Sequence, residues 1–286
     1  MSEEFEHIKV EMPIEKDKDG NVVSGTIDGN YAVISINRPN KLNALTEQTV
    51  EEIAKAFRAL EPDQKVRAVV LRGTKEVTKK PAFSAGADLS AVLPKELNPK
   101  VPWHMALAMR RRHKFYDEIE AFSKPIIAAV DGFALGGGCE LTLVCDIVIA
   151  TTRSNFGLPE INRAILPANG GVTRMASRIG LNRAIRMGFF GEHFDAETMK
   201  DWGYVSWVAE PGEEFENLVH EKASWLGSAP TTALYVIKKC IKFGTKMEEL
   251  GKIMEQMGFQ LNSHAKDVSV GIKAFLRKKE PKYKGM

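Results

Sequence analysis

Apolar and polar positions along this chain alternate between two periods. Tyr31 to Asn37 (YAVISIN) is an almost unbroken apolar run with β-branched content, which predicts a buried strand. Behind Thr46, the residues Val50, Ile53, Ala54, Phe57 and Leu60 recur at helical spacing, so Thr46 is the expected N-cap of a helix. Val66 to Arg72 (VRAVVLR) predicts a second strand. Strand, helix and strand joined by a crossover of this length form the unit that builds a largely parallel sheet. The pattern resumes after Lys124-Pro125. Ile126 to Val130 (IIAAV) is a strand that runs into Asp131-Gly132 and a glycine cluster, inside which a helix starts and continues through Glu140 to Cys145; Ile147 to Ala150 is another short buried strand. From Gly180 onward helices dominate: Asp195 caps AETMKDWG, and the windows 213–227, 230–243, 245–264 and 267–278 have no interior proline. The apolar faces of these last helices have two readings, cover for a neighbouring subunit or packing on their own domain. Residues 1–23 are charged and unpatterned, with Lys16 to Asn21 reading as a turn.

A length of 286 residues fits one main domain with an appended helical segment. An apolar share of 44% and a charged share of 27% are those of a soluble globular protein. The start MSEEFEHIKV carries acids where a secretory signal carries a basic start and an apolar run, and no apolar stretch approaches the roughly 20 residues of a membrane span, so a soluble, cytoplasmic protein is expected. Cys139, Cys145 and Cys240 are odd in number and show no C-x-x-C spacing, which argues against a disulfide framework or a zinc site and for a reducing compartment. The six histidines are scattered without ligand-like spacing, and no metal is expected. A net charge of +3 suits a polyanionic small ligand and is too mild to argue for nucleic acid. Lys238, Lys239, Lys242 and the run from Arg277 to Lys284 are the only features favouring an RNA-binding role, and no aromatic platform accompanies them.

Three segments carry candidate chemistry. The small residues of Phe83 to Leu89 (FSAGADL) let backbone amides approach a ligand closely, though packing alone also explains them. In Gly132 to Glu140 (GFALGGGCE), three successive glycines at a strand-to-helix junction expose N–H groups beside the positive end of a helix, an anion or oxyanion site. Leu141 stands where a dinucleotide fingerprint needs its third glycine, and the lysine and hydroxyl of a P-loop are missing. Glu140 and Glu160 both lie among apolar neighbours. Two carboxyls sharing one desolvated site hold one proton between them near neutrality, as general acid and base work requires; either residue alone is as well explained by a salt bridge. No G-x-S-x-G elbow is present, which argues against an ordinary serine hydrolase.

Taken in order, RPNKLNALT (Arg38 to Thr46), AFSAGADLS (Ala82 to Ser90), KPIIAAVDGFALGGGCELTLVCD (Lys124 to Asp146), FGLPEI (Phe156 to Ile161) and FDAETMKDWGYV (Phe194 to Val205) resemble the enoyl-CoA hydratase, or crotonase, superfamily from about residue 24 to the tail. The resemblance implies an α/β, ClpP-like spiral of stacked ββα units: an N-terminal extension over 1–23, a spiral core over 24–205 and a helical region over 206–286 that builds trimers or hexamers and completes the coenzyme A site. It implies an oxyanion hole from the N–H groups of Ala87 and Gly137. Coenzyme A contacts would come from Lys41, Leu42, Ala44, Ser84, Ala85, Asp88 and Leu89, with Phe275 and Lys278 at the nucleotide end, and no cofactor beyond the substrate's own coenzyme A is implied.

Family membership leaves the reaction open, since isomerases and hydrolases share the fold. True hydratases carry both acidic residues, as this chain does in Glu140 and Glu160. The expected reaction is therefore reversible hydration of a short-chain trans-2-enoyl-CoA, Glu140 deprotonating water and Glu160 exchanging the proton at the α carbon. One departure stands out: Ala164 and Ala168 replace glycines in the family's G-x-x-P-G-x-G-G. Ala168 still offers its N–H to the water site, but it cannot take a positive φ as freely as glycine, which puts the loop shape in question.

Overall fold

The computed structural model describes residues 5–75, 80–91, 98, 101–163, 165–244 and 265–285. Among the described residues there are twelve strands: β1 (Ile8–Glu11), β2 (Glu15–Lys16), β3 (Val22–Ser24), β4 (Tyr31–Ile36), β5 (Ala68–Gly73), β6 (Ala82–Ser84), β7 (Ile126–Val130), β8 (Phe133–Leu135), β9 (Ile147–Thr151), β10 (Asn155–Gly157), β11 (His193–Asp195) and β12 (Trp207–Ala209). The helices are α1 (Glu47–Leu60), α2 (Pro102–Ala121), α3 (Gly137–Leu143), α4 (Gly171–Ile179), α5 (Leu181–Phe190), α6 (Ala196–Asp201), α7 (Glu213–Ser228), α8 (Thr231–Gly244) and α9 (Lys266–Leu276).

A six-stranded sheet runs β1-β4-β5-β7-β9-β12, parallel except for its edge strand β1. A four-stranded sheet runs β11-β10-β8-β6. Each of β5, β7 and β9 is followed by a strand of the smaller sheet (β6, β8, β10), so the chain winds as a spiral of ββα turns, the fold the motifs implied. The central strands are apolar throughout because both faces are covered. Register places Val33, Val70 and Ile127 in one row, packed with Phe215, Val219, Ala223 and Leu226 of α7. The next row, Ile34, Leu71 and Ala128, faces the main core with Phe57 of α1 and Tyr116 of α2.

The turn between β7 and β8 needs glycine twice over. Gly132 sits at φ +79°, and a Cβ there would lie 2.0 Å from the Pro81 carbonyl oxygen. Thr46 caps α1 as expected: its hydroxyl accepts from Thr49 N at 3.1 Å, and the Thr49 side chain returns the bond.

Structure and sequence differ in three places, while a fourth feature, the basic cluster, agrees with the reading against nucleic acid. Ile8–Glu11, inside the stretch read as unpatterned, forms β1, with Ile8 only 2% exposed in the core. The strand expected at Val66 begins at Ala68. Helix α2 had no sequence reading at all. Of the basic cluster, Lys238 and Lys242 turn inward onto Asp146 at 2.8 and 3.0 Å, and Lys239 Nζ donates to Ala121 O at 3.2 Å, so these lysines dock α8 rather than form a nucleic-acid surface. The expected helical window 245–264 and the Ala164 position lie outside the described residues.

Candidate active site

The carboxylates are delivered by two successive turns of the spiral. Gly136, at φ +51°, is the N-cap of α3 and lets the helix begin at Gly137, which places Glu140 in its first turn. Glu160 comes from a short 3-10 turn, Pro159–Arg163, that follows β10. A Cβ on Gly136 would lie 2.8 Å from Glu160 Oε1, and one on Gly171 would lie 2.7 Å from Glu140 Oε1. Both glycines are therefore clearances for a carboxylate, and Gly136 also takes the positive φ that the turn into α3 uses.

Glu140 is 1% exposed. Its Oε1 accepts from Asn169 N at 2.7 Å and Gly171 N at 3.0 Å, and its Oε2 from Asn169 Nδ2 at 2.6 Å. Burial raises its pKa, and these three donors oppose the rise by stabilising the ionised form. Glu160 has no comparable support. Its Oε2 is buried and has no hydrogen-bond partner among the described residues. Burial, and then the charge of Glu140, push the Glu160 carboxyl up to about 7. The environments thus differ: three donors favour the ionised form of Glu140 against its burial, while nothing comparable favours the ionised form of Glu160.

Beside the carboxylates lies a pair of amides that have no acceptor among the described residues. A Cβ on Gly137 would stand 3.6 Å from Ala87 N and 3.7 Å from Tyr116 Oη, so all three groups border one small space. Gly137 N is at the first position of α3, where the helix itself supplies no acceptor. Ala87 is joined to Leu45 in an isolated bridge whose bonds use Gly86 O (from Leu45 N, 2.8 Å) and Asp88 N (to Leu45 O, 2.8 Å), and among the described residues no acceptor takes Ala87 N. Tyr116, from α2, donates to Gly137 O at 3.1 Å and is 1% exposed. Burial first, and Glu140 second, raise its phenol pKa well above the ordinary value.

The other expected site residues fall into two groups. Lys41 ends the 3-10 turn Pro39–Lys41, and Leu42 (φ 51°) and Asn43 (φ 55°) follow it in left-handed conformation. Asn43 Nδ2 donates to Ala82 O at 2.7 Å, Ala85 N to Leu42 O at 3.0 Å, and Arg38 to the Ala44 carbonyl. These bonds bring Lys41, Leu42, Ala44, Ser84, Ala85, Asp88 and Leu89 together along one rim. The Asp88 side chain itself is engaged as a clamp: it accepts from Ser90 Oγ at 2.6 Å and pairs with Arg38 at 3.1 Å, and those partners, Ser90 first, lower its pKa. The Ser84 hydroxyl is likewise turned inward, accepting from Gly86 N at 3.2 Å. Lys278, just beyond α9, is not brought to this rim by any contact among the described residues, and the side chain of Phe275, in α9, lies outside what the structure describes. The tail is tied elsewhere, with Arg67 Nη2 donating to Tyr283 O at 3.2 Å and Gly285 N to Asp267 at 2.6 Å.

Ala168 is a correction in favour of the loop. Positive φ in this loop falls on Gly170 (φ +84°) and not on Ala168, so replacing glycine there imposes no backbone strain. Its carbonyl accepts from the His113 ring, and no hydrogen bond among the described residues takes its N–H. His113, Tyr116, Asn169 and Arg174 escaped the sequence reading. Asn169 alone had a legible signal, as a polar side chain inside the loop already singled out.

The match to known proteins follows this geometry. A family model described as enoyl-CoA hydratase/isomerase matches residues 26–286. The short-chain-enoyl-CoA hydratase of Clostridium acetobutylicum is 34% identical over 254 residues, covering 88% of this chain and 94% of that protein. The 2,3-dehydroadipyl-CoA hydratase of Escherichia coli is 32% identical over 254 residues, with coverage of 88% and 94%. The solved structure of an enoyl-CoA hydratase from Bacillus anthracis superimposes with a TM-score of 0.83 at 29% identity, covering 98% of this chain and all of that one (100%). With the spiral fold and nearly the whole chain aligned, this protein belongs to the enoyl-CoA hydratase/isomerase family.

Proposed function

We propose that this protein is an enoyl-CoA hydratase, a hydro-lyase that adds water across the α,β double bond of a trans-2-enoyl-CoA and runs the same step backwards as a dehydratase. The observation that carries this reading is the pair of buried glutamates in unlike surroundings, Glu140 held by three donors and Glu160 Oε2 by none among the described residues, beside the amides of Ala87 and Gly137. In the hydration direction Glu140 takes a proton from water while the water oxygen bonds to the β carbon. The double-bond electrons move toward the thioester, whose oxygen gains enolate-like charge opposite the N–H groups of Ala87 and Gly137. Glu160 then gives its proton to the α carbon, and the pair re-equilibrates with solvent. Lys41, Leu42, Ala44, Ser84, Ala85, Asp88 and Leu89 supply the rim for the coenzyme A moiety, mainly through backbone groups. The reading requires no metal or cofactor beyond that moiety. An isomerase or thioester hydrolase on this fold does not need both acids, and a panel of enoyl-CoA thioesters of graded length, followed by loss of enoyl absorbance, separates the reactions. Fastest turnover is expected on C3–C4 substrates; no hydration of any member would refute the proposal.

Either direction needs one proton shared by the pair, so both directions share one pH profile. Because the Glu160 carboxyl lies at about 7, kcat/KM falls as pH rises through about 7, when both acids become ionised. An alkaline limb that persists unchanged in Glu160→Gln would contradict this assignment.

The same proposal includes a cytoplasmic trimer or pair of trimers. Its support is the exposed stripe Leu181, Ile185 and Phe189 along one face of α5, at 67%, 40% and 72% exposure, a face that water covers in a lone chain. Among the described residues no helix is long and apolar enough to cross a membrane, and the three cysteines are buried and form no disulfide. Light scattering at micromolar concentration should give a trimer or hexamer; a stable monomer would overturn this part.

A further inference from the structure

Of the three donors on Glu140, two are main-chain amides, that of residue 169, which does not depend on its side chain, and that of Gly171, where glycine clears the carboxylate. The third exists only because residue 169 is asparagine: Nδ2 donates to Oε2 at 2.6 Å. The nitrogen end of the amide faces the carboxylate oxygen that accepts from it, and Oδ1 is turned away. That oxygen is buried and has no partner among the described residues, the same condition as Glu160 Oε2. A buried acceptor without a partner is rare in a folded protein and calls for a donor such as water or a ligand hydroxyl.

The amide is also held in place. Arg174 Nη1 donates to Asn169 O at 2.8 Å, while its other nitrogens bind Glu120 (3.0 and 2.8 Å) and Asp117 (2.9 Å) of α2. A Cβ on Gly170 would lie 2.1 Å from Arg174 Nη1, and His113 pins the preceding carbonyl of Ala168. The loop therefore presents the Asn169 side chain from a braced backbone.

We propose that Asn169 is a positioning residue of the hydration site, its Nδ2 fixing the orientation of the Glu140 carboxylate and its Oδ1 accepting the hydrogen that stays on the water oxygen as the 3-hydroxyl. This rests on the hydratase reading above. The water oxygen loses one proton to Glu140 and keeps the other, which points at Asn169; the lone pair that bonds to the β carbon is thereby aimed.

Asn169→Ala leaves both backbone donors in place and removes only the side-chain amide. Hydration kcat is expected to fall about 10- to 100-fold, the worth of a hydrogen bond to a charged group, with KM for crotonyl-CoA nearly unchanged. The acid limb of the pH profile should move to higher pH, because Glu140 loses a donor that favours its ionised form. Asn169→Asp, which sets a second carboxylate against Glu140, should move it further. A wild-type rate, or a lower rate with an unmoved acid limb, would overturn the proposal. Titration of Glu140 by the side-chain carboxyl 13C shift of labelled protein reads the same effect without turnover: a higher midpoint in Asn169→Ala supports the positioning role and an equal one rejects it. That measurement decides the matter even if the wild-type protein hydrates no enoyl-CoA, the outcome that would remove the hydratase reading instead. Should the alanine variant fail to fold, Asn169→Ser, which keeps a small polar side chain, gives the same two readouts.

Discussion

Glu140→Gln and Glu160→Gln each lower hydration of a good enoyl-CoA substrate by about 10²–10⁴, the usual worth of a positioned acid or base. Glutamine keeps the shape and most of the hydrogen bonding of glutamate and removes proton exchange. Each carboxyl performs a proton movement that the other cannot reach, Glu140 at the water and Glu160 at the α carbon. Thioester affinity changes far less, because the groups assigned to the carbonyl are the backbone amides of Ala87 and Gly137. The double variant should lose little more than either single one, since half of a concerted pair has little left to contribute. Stability supplies an independent check. The folded pKa of Glu160 is raised from 4.5 to about 7, so the stability it contributes is fully present below about pH 4.5 and lost as pH rises through about 7. Thermal unfolding should accordingly favour Glu160→Gln over the wild type more at pH 8 than at pH 4. Near-normal hydration in either single variant would show that residue's assignment to be wrong.

Ala87→Pro is the second large effect, an expected loss of about 10²–10³ in kcat, the worth of one oxyanion donor. Proline deletes the N–H at residue 87 and no other hydrogen-bonding group. The bridge to Leu45 survives because it runs through Gly86 O and Asp88 N. Ala87→Gly, which keeps the N–H, should stay close to the wild type in kcat. Equal activity of the two variants would remove Ala87 from the site. A loss in both would trace to the loop's shape rather than to the amide.

What the sequence made legible follows from how each part is stabilised. The strands Tyr31–Ile36, Ile126–Val130 and Ile147–Thr151 are covered on both faces and so appear as continuous apolar runs. Helix α2 is the opposite case: its fully buried line is the narrow stripe Ala108, Arg112, Tyr116 and Ile119, half of it polar in character, within a basic segment. No apolar period emerges from such a helix, and the residues it sends to the site, His113 and Tyr116, stayed hidden with it. Strands β6, β8, β10 and β11 have three residues each, too few for alternation to register. The two glutamates were suspicious in the sequence for their apolar company, but what distinguishes them is tertiary. Three donors converge on Glu140 from a loop some 30 residues away, and none reaches Glu160 Oε2. Asn169 reads as an ordinary turn residue until the fold lays it against Glu140.

The central claim is that this site adds water, with one acid working at each carbon of the double bond. Incubating the protein with crotonyl-CoA in D2O and reading the product by NMR tests it most directly. The expected product is 3-hydroxybutyryl-CoA carrying one deuterium on the α carbon and the hydroxyl on the β carbon, formed at a rate that Glu140→Gln and Glu160→Gln each lower by about 10²–10⁴. A shifted double bond without added oxygen, or release of free coenzyme A, would contradict it.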